Sequence, residues 1–299
     1  MNIVFSCDDN YAPYLSVSIF SILKNTRKKI DFYILDLGIS SESKNKILEI
    51  FNKNSVIINF ISIDKNDFLN FPNTISYISI ATYARLKLDY YLPNLDKVIY
   101  LDVDTLVLHD LTELWELNLE NHAIAACIDS YVEYLNGYKY KIGLNEDDIY
   151  FNAGVLLIDL IKFRALNVYE NSISFLQKYP NIEYQDQDIL NFIFKDHTKM
   201  INPRFNFMPA LRNRIRRKFK LNQFEELVSP IVVIHYCSSK KAWHKNCPHT
   251  KSYLFYSLFT EIKDKPDSWK NKVEKANFLM SSSVKIKDIR NKFIYGIKY

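Results

Sequence analysis

The chain reads as an α/β protein whose parallel sheet carries helices on both faces. Short runs rich in Ile, Val, Phe and Tyr alternate with helix-periodic segments through the first hundred residues. No internal repeat, low-complexity tract or Gly/Pro-rich linker interrupts the 299 residues, so one domain with an appended tail is the simplest division.

The elements follow in order. "NIVFSC" is a short buried strand, and Leu15, Ile19, Ile22 and Leu23 then recur at helical spacing between Tyr11 and Lys24. "IDFYILDLGI" predicts a second strand, and "SSESKNKILEIF" a helix capped by serine. "SVIINFISID" is a third strand, "SIATYARLKLDYYL" has helical periodicity, and "KVIYLDVDTLV" reads as a fourth strand. Later, "HAIAACID", "NAGVLLIDL" and "SPIVVIHYC" look like buried strands, and "QDQDILNFIF" starts a helix.

The bulk figures exclude several classes. A composition of 48% hydrophobic and 24% charged residues is that of a globular domain with ample material for a core. No run reaches the roughly 18 apolar residues of a transmembrane helix, and "MNIVFSCDDN" lacks the layout of a secretory signal. Cys7, Cys127, Cys237 and Cys247 are scattered, as free thiols of a reducing compartment are. Only five glycines occur, and neither GxGxxG nor GxxxxGK[ST] can be built from them. A bound phosphate must therefore be neutralised by something other than a glycine-rich loop.

In open α/β sheets ligands sit beyond the carboxyl ends of the strands. Polar residues collect at four such ends: "CDDNY", "DVD", "CIDS" and "HYC". On a continuous strand Asp102 and Asp104 point to one face. Burying two carboxylates is costly, and either a cation or a Lys/Arg partner offsets the cost. Carboxylate oxygens suit Mg²⁺ or Mn²⁺, which complete their shells with substrate phosphates. An imidazole ligand tilts the choice toward Mn²⁺, and His235, ending an apolar strand, is the best-placed histidine. A second D-x-D, Asp186-Gln187-Asp188, opens a helix, where residues two apart diverge by about 200°. There a helix-capping role suits one of the acids.

Taken together, "IVFSCDDNYAPYL", "ISIATYARLKL", "KVIYLDVDTLV", "YFNAGVLLIDL", "YQDQDILN", "RFNFMP" and "HYCSSKKAWH" resemble the bacterial branch of glycosyltransferase family 8, over about the first 250 residues. The resemblance implies a GT-A fold, a single Rossmann-like nucleotide-sugar-binding domain with a mixed, mostly parallel central sheet. It also implies retaining transfer of a hexose, galactose or else glucose, from UDP-galactose or UDP-glucose. The implied acceptor is a lipooligosaccharide or lipopolysaccharide sugar at the cytoplasmic face of the inner membrane. It assigns Asp102, Asp104 and His235 to Mn²⁺ (or Mg²⁺), and Asp8, Asp9, Asn10, Tyr11, Val103, Ser238 and Lys241 to the nucleotide, with Tyr11 on uracil. Arg85, Asp129, Asn152, Ala153, Asp186 and Gln187 fall around the donor sugar, Gln187 and Asp186 being nearest the reaction. With only an amide on that face, same-face attack by the acceptor hydroxyl is expected rather than a covalent glycosyl intermediate. A non-catalytic UDP-sugar-binding protein is the reading from another class. Four departures stand out: Ser238 and Ala242 replace a glycine and a proline of the family's late motif, Tyr77 differs in the loop before "ISI", and Ala210 differs in the acceptor region.

The expected division is a catalytic domain over 1–262 and a basic tail over 263–299. The tail holds ten basic residues against four acids, a surplus of six in a chain of net +5. With Trp269, Phe278, Phe293, Ile294, Tyr295 and Tyr299 interspersed, it suits peripheral attachment to anionic lipid. "RNRIRRKFK" is a second basic cluster, and no nucleic-acid-binding motif accompanies either.

Overall fold

The computed structural model describes residues 1–51, 56–75, 80–129, 131–208, 229–247, 249 and 251–273. Tyr77, Ala210, the 212–220 basic cluster and residues 274–299 of the tail lie outside the described residues. The strands are β1 (Asn2–Cys7), β2 (Asp31–Asp36), β3 (Ile57–Ser62), β4 (Lys97–Leu101), β5 (Thr105–Val107), β6 (Ile124–Ile128), β7 (Phe151–Asp159), β8 (Thr198–Met200) and β9 (Val233–His235). A seven-stranded sheet runs β3-β2-β1-β4-β7-β6-β8, and β5 and β9 form a separate pair. β1, β2, β3 and β4 pair in parallel, as do β6 and β8, whereas β7 runs antiparallel to both β4 and β6. The architecture is thus α/β with a mixed, mostly parallel sheet.

Three helices position the site: α1 (Ala12–Asn25), α2 (Ser41–Phe51) and α3 (Gln185–Phe194). α2 has the expected serine cap, with Ser40 Oγ accepting from Ser43 N at 3.1 Å. The segment expected as an α-helix at Ile80–Lys87 is instead a 3₁₀ helix. Two of its carbonyls serve side chains: Ser6 Oγ donates to Ala81 O at 2.6 Å and Arg85 Nε to Thr82 O at 3.2 Å. Such bonds compete with the i→i+4 ladder and favour the tighter winding.

Two apolar cores lie on either side of the sheet. The first includes Ile3, Phe5, Ile99 and Leu157; Val4, Tyr100 and Leu156 belong to the second, as strand alternation requires. Trp269 and Val273 also enter the first core, both under 5% exposed. Trp269 is therefore spent on packing, which corrects its inclusion among lipid-facing aromatics. Among the described residues no helix is long and apolar enough to cross a membrane.

"YLDVDTLV" is not one strand. β4 ends at Leu101, and Thr105 N and Oγ1 both donate to Asp102 O, at 3.1 and 2.8 Å, closing a turn before β5. Three polar side chains of α1 serve this segment, Ser18 and Ser21 buried and Asn25 half-buried. Ser18 Oγ lies 2.6 and 2.8 Å from the Val103 and Thr105 carbonyls, Ser21 Oγ accepts from Val107 N at 3.0 Å, and Asn25 Nδ2 donates to Val107 O at 2.9 Å. They satisfy backbone groups that β5 would leave unpaired beyond its single partner strand.

Candidate active site

The strand ends converge on one cavity of about 880 Å³. "CDDNY" contributes Cys7, Asp8 and Tyr11; the D-x-D turn contributes Asp102, Val103 and Asp104; "CIDS" contributes Asp129; and "HYC" contributes His235 and Cys237. β9 delivers His235 because Thr105 pairs with His235 across the small sheet and Tyr236 N donates to Asp104 O at 2.9 Å. The reversed direction of β7 brings its first residues, Asn152–Gly154, to the same edge, where Asp102 N donates to Gly154 O at 2.8 Å.

Asp102, Asp104 and His235 can each present one ligand atom, all within 4.8 Å of one another. His235 Nε2 stands 3.8 Å from Asp102 Oδ2 and 3.2 Å from Asp104 Oδ1. The expected same-face strand geometry is corrected here: a turn, not pleat alternation, makes the carboxylates converge. Gly154 forms the floor. A Cβ there would lie 2.2 Å from His235 Cε1 and 2.8 Å from Asp102 Oδ2, so only glycine lets the imidazole and carboxylate close up. Oxygen, oxygen and imidazole nitrogen are the donor set that fits Mn²⁺ or Mg²⁺.

Arginine and lysine partners offset these carboxylates. Arg85 Nη2 donates to Asp102 Oδ1 at 2.8 Å and its Nη1 to Ala153 O at 2.5 Å. Its Nε lies 2.9 Å from Asp186 Oδ2 as an ion pair without hydrogen-bond alignment, and its guanidinium sits 4.2 Å from the Tyr100 ring centre. Lys241 Nζ donates to Asp104 Oδ2 at 2.5 Å. Burial opposes ionisation of Asp104, yet Lys241 and His235 hold its carboxyl far below the usual range. Three carboxylates (Asp102, Asp104, Asp186) thus share two permanent cations, leaving a local negative charge that suits a divalent ion.

Gln187 and its neighbours also line the cavity. Gln187 Oε1 accepts from Ala153 N at 3.0 Å and Asn152 Nδ2 at 3.1 Å, while its Nε2 donates to Asp129 Oδ2 at 3.2 Å. Asp129 Oδ1 accepts from the Tyr131 and Val132 amides at 2.8 and 3.0 Å. α3 is docked by Asn191, which exchanges hydrogen bonds with both Phe151 backbone groups at 2.7 and 2.8 Å. Gln187, one turn earlier on the same face, is thereby pressed against the start of β7.

Most of the expected residues line the cavity: Asp8, Tyr11, Arg85, Asp102, Val103, Asp104, Asp129, Asn152, Gln187, His235, Ser238 and Lys241. Tyr11 meets Trp243 edge-on at 5.9 Å between ring centres, and Trp243 stacks on Tyr14 at 3.8 Å. Four are placed otherwise. Asp9 accepts from Ser40 N and Oγ, at 2.9 and 2.8 Å, and so ties the first loop to α2. Asn10 is exposed away from the wall. Ala153 acts through its backbone, and Asp186 is buried behind Arg85 with the Thr82 hydroxyl bonded to it. Burial pushes the Asp186 carboxyl up to about 6, against the pull of Arg85. Residues missed by sequence reasoning include Thr82, Tyr131 and Tyr184 on the wall, Gly154 beneath it and the fully buried Asn206. For Gly154 a signal existed, since a glycine amid an apolar strand marks close approach of another group. Ser238 Oγ lies 2.9 Å from His249 Nε2, so its hydroxyl has a protein partner in the loop where the family has glycine.

A family model described as Glycosyl transferase family 8 matches residues 2–247. A putative glycosyltransferase of Haemophilus influenzae is 48% identical over 297 residues, spanning 98% of this chain and 87% of the relative. The lipopolysaccharide 1,2-glucosyltransferase of Escherichia coli K12 is 30% identical over 251 residues, 82% of this chain and 73% of that one. The crystal structure of galactosyltransferase LgtC with donor and acceptor sugar analogues superposes with TM-score 0.85 at 39% identity, covering 91% of this chain and all of that one. Its fold is the GT-A architecture. The chain belongs to glycosyltransferase family 8 and is a glycosyltransferase of GT-A fold.

Proposed function

We propose that the chain moves a hexose, galactose in the first place, from a UDP-sugar to a lipooligosaccharide or lipopolysaccharide acceptor sugar, with retention and with Mn²⁺. The observation that carries this is the convergence of Asp102, Asp104 and His235 on the cavity that Gln187 also lines. The likeness to LgtC supports galactose; the E. coli relative favours glucose as the second reading. Mg²⁺ fits the same oxygens.

When bound, the cation supplies charge neutralisation for a departing diphosphate. Lys241, lining the same cavity, adds a positive charge where that group leaves. Asp8 and the Tyr11–Trp243 cluster offer a hydrogen-bond acceptor and an aromatic face for a nucleoside. Gln187 presents a carboxamide to the sugar. Asp186, already engaged by Arg85 and Thr82 and off the wall, is not free to act as nucleophile. Same-face attack by the acceptor hydroxyl, its proton passing to the leaving phosphate, is the route these contacts support.

The proposal extends to location. The surplus of basic residues after Lys263 supports peripheral attachment to anionic lipid at the cytoplasmic face of the inner membrane, with 1–262 as the catalytic part. A Mn²⁺-dependent UDP-release assay across UDP-hexoses tests the chemistry: release is expected with UDP-galactose, retained configuration in the product, and none after chelation. Release undiminished by chelation, or confined to UDP-glucose, would sink the metal or the galactose reading respectively.

A further inference from the structure

As a ligand, His235 must present a ring nitrogen that carries no proton. A neutral imidazole has one protonated nitrogen, and only the bare one can bind a cation. Nε2 is the atom facing Asp102 and Asp104, so Nδ1 must carry the proton.

Nδ1 lies 3.0 Å from the side-chain oxygen of Asn206, which is wholly buried. The orientation of that amide is set from outside. Asn206 Nδ2 donates to Asn152 Oδ1 at 2.8 Å, and Asn152 Oδ1 also accepts from Gly154 N at 3.0 Å. A backbone N–H can only donate, so the atom facing it is an oxygen. The remaining Asn152 nitrogen then donates to Asp129 Oδ2 at 3.0 Å and to Gln187 Oε1. Reversing either asparagine would set donor against donor or acceptor against acceptor in a buried site, at the cost of unpaired polar groups. The polarity thus runs from the Gly154 amide through Asn152 and Asn206 to the imidazole, leaving Nδ1 the donor.

We infer that Asn206 is a positioning residue of the metal site: by accepting from Nδ1 it holds His235 in the tautomer and ring orientation that present bare Nε2 beside Asp102 and Asp104. Asn206 touches neither cation nor substrate. The same Asn152 amide that orients Asn206 also orients Gln187, so one relay positions both His235 and Gln187.

This rests on the metal reading above, and the test separates the two. Mn²⁺ affinity is measured by electron paramagnetic resonance titration of the folded, nucleotide-free chain, with no turnover required. Asn206→Leu keeps the volume but removes the acceptor, and its Mn²⁺ affinity is expected to fall roughly 10–100-fold, as for other partners of metal-bound histidines. Asn206→Asp retains an acceptor toward Nδ1 but sets an oxygen against Asn152 Oδ1 in place of Nδ2, so its Mn²⁺ affinity is expected to fall by less than that of Asn206→Leu. Equal Mn²⁺ affinity of Asn206→Leu and wild type, or an Asn206→Asp loss as deep as that of Asn206→Leu, overturns the inference alone. Absence of Mn²⁺ binding in the wild type overturns the metal reading and the inference with it. An independent check needs no variant. In the wild-type chain loaded with diamagnetic Zn²⁺, two-bond ¹H–¹⁵N spectra should show His235 protonated at Nδ1, and protonation at Nε2 overturns the assignment.

Discussion

The chain contains the same three-residue pattern twice, and the two copies do opposite work. In Asp102-Val103-Asp104 the backbone turns between β4 and β5, and both carboxylates reach one point beside His235. In Asp186-Gln187-Asp188 the backbone is the first turn of α3, and the acids part. Asp186 faces Arg85 and Thr82, while Asp188 accepts from the Tyr138 and Tyr150 hydroxyls and from the Glu183 and Tyr184 amides. Asp188 is thus saturated by donors and ties its helix to the segment before it. Asp102 and Asp104, although paired with Arg85 and Lys241, keep one oxygen each toward the imidazole. A motif's letters count for less than the backbone that carries them and the donors already spent on them.

The largest expected effect breaks the first copy. Asp104→Asn removes the carboxylate shared by Lys241 and the ligand cluster, and kcat/KM for sugar transfer should fall by about 10³-fold, the scale of losing a group that stabilises departing charge. The UDP-release assay checks it; a loss under tenfold would mean that the cluster is structural. The next breaks the second copy. Asp188→Asn leaves one side-chain oxygen where four donors converge, and should destabilise the fold by about 2–4 kcal/mol in urea titration. A variant as stable as wild type would show that these four hydrogen bonds carry little.

The smallest effect sharpens the environment of the first copy. Burial, with Lys241 nearby, lowers the His249 pKa from 6.5 to about 4. The folded state therefore takes up its proton later than the unfolded chain. Stability contributed by neutral His249 is present above pH 6.5 and is lost as pH falls from 6.5 toward 4. The loss reaches roughly 1 kcal/mol by pH 5.5, and His249→Gln should flatten that part of the acid limb in melting experiments. An unchanged limb would place the titration elsewhere.

The legibility of the two copies differs for a physical reason. Divergence of Asp186 and Asp188 follows from helical geometry alone, and the structure has it so. Convergence of Asp102 and Asp104 was expected from strand alternation, but is made by a turn that Ser18 of α1 braces. The strand runs were readable because apolar, β-branched segments have few other places to go; β8 and the split of β4 from β5 were not, since three-residue strands carry no periodicity. Asn206 and Gly154 escaped notice because their roles lie in contacts with residues tens of positions away.

By itself the sequence determined the α/β class, the strand ends as the site, and the acids and imidazole that gather there, because hydrophobic periodicity and side-chain chemistry are local properties; Lys241 came only with the family resemblance. Only the tertiary structure decided that β7 runs backward to deliver Asn152 to the cavity, that β9 sets His235 opposite Thr105, and that a chain of buried amides orients the imidazole. Those are long-range pairings, selected by backbone hydrogen bonds and core packing between segments that carry no mark of each other.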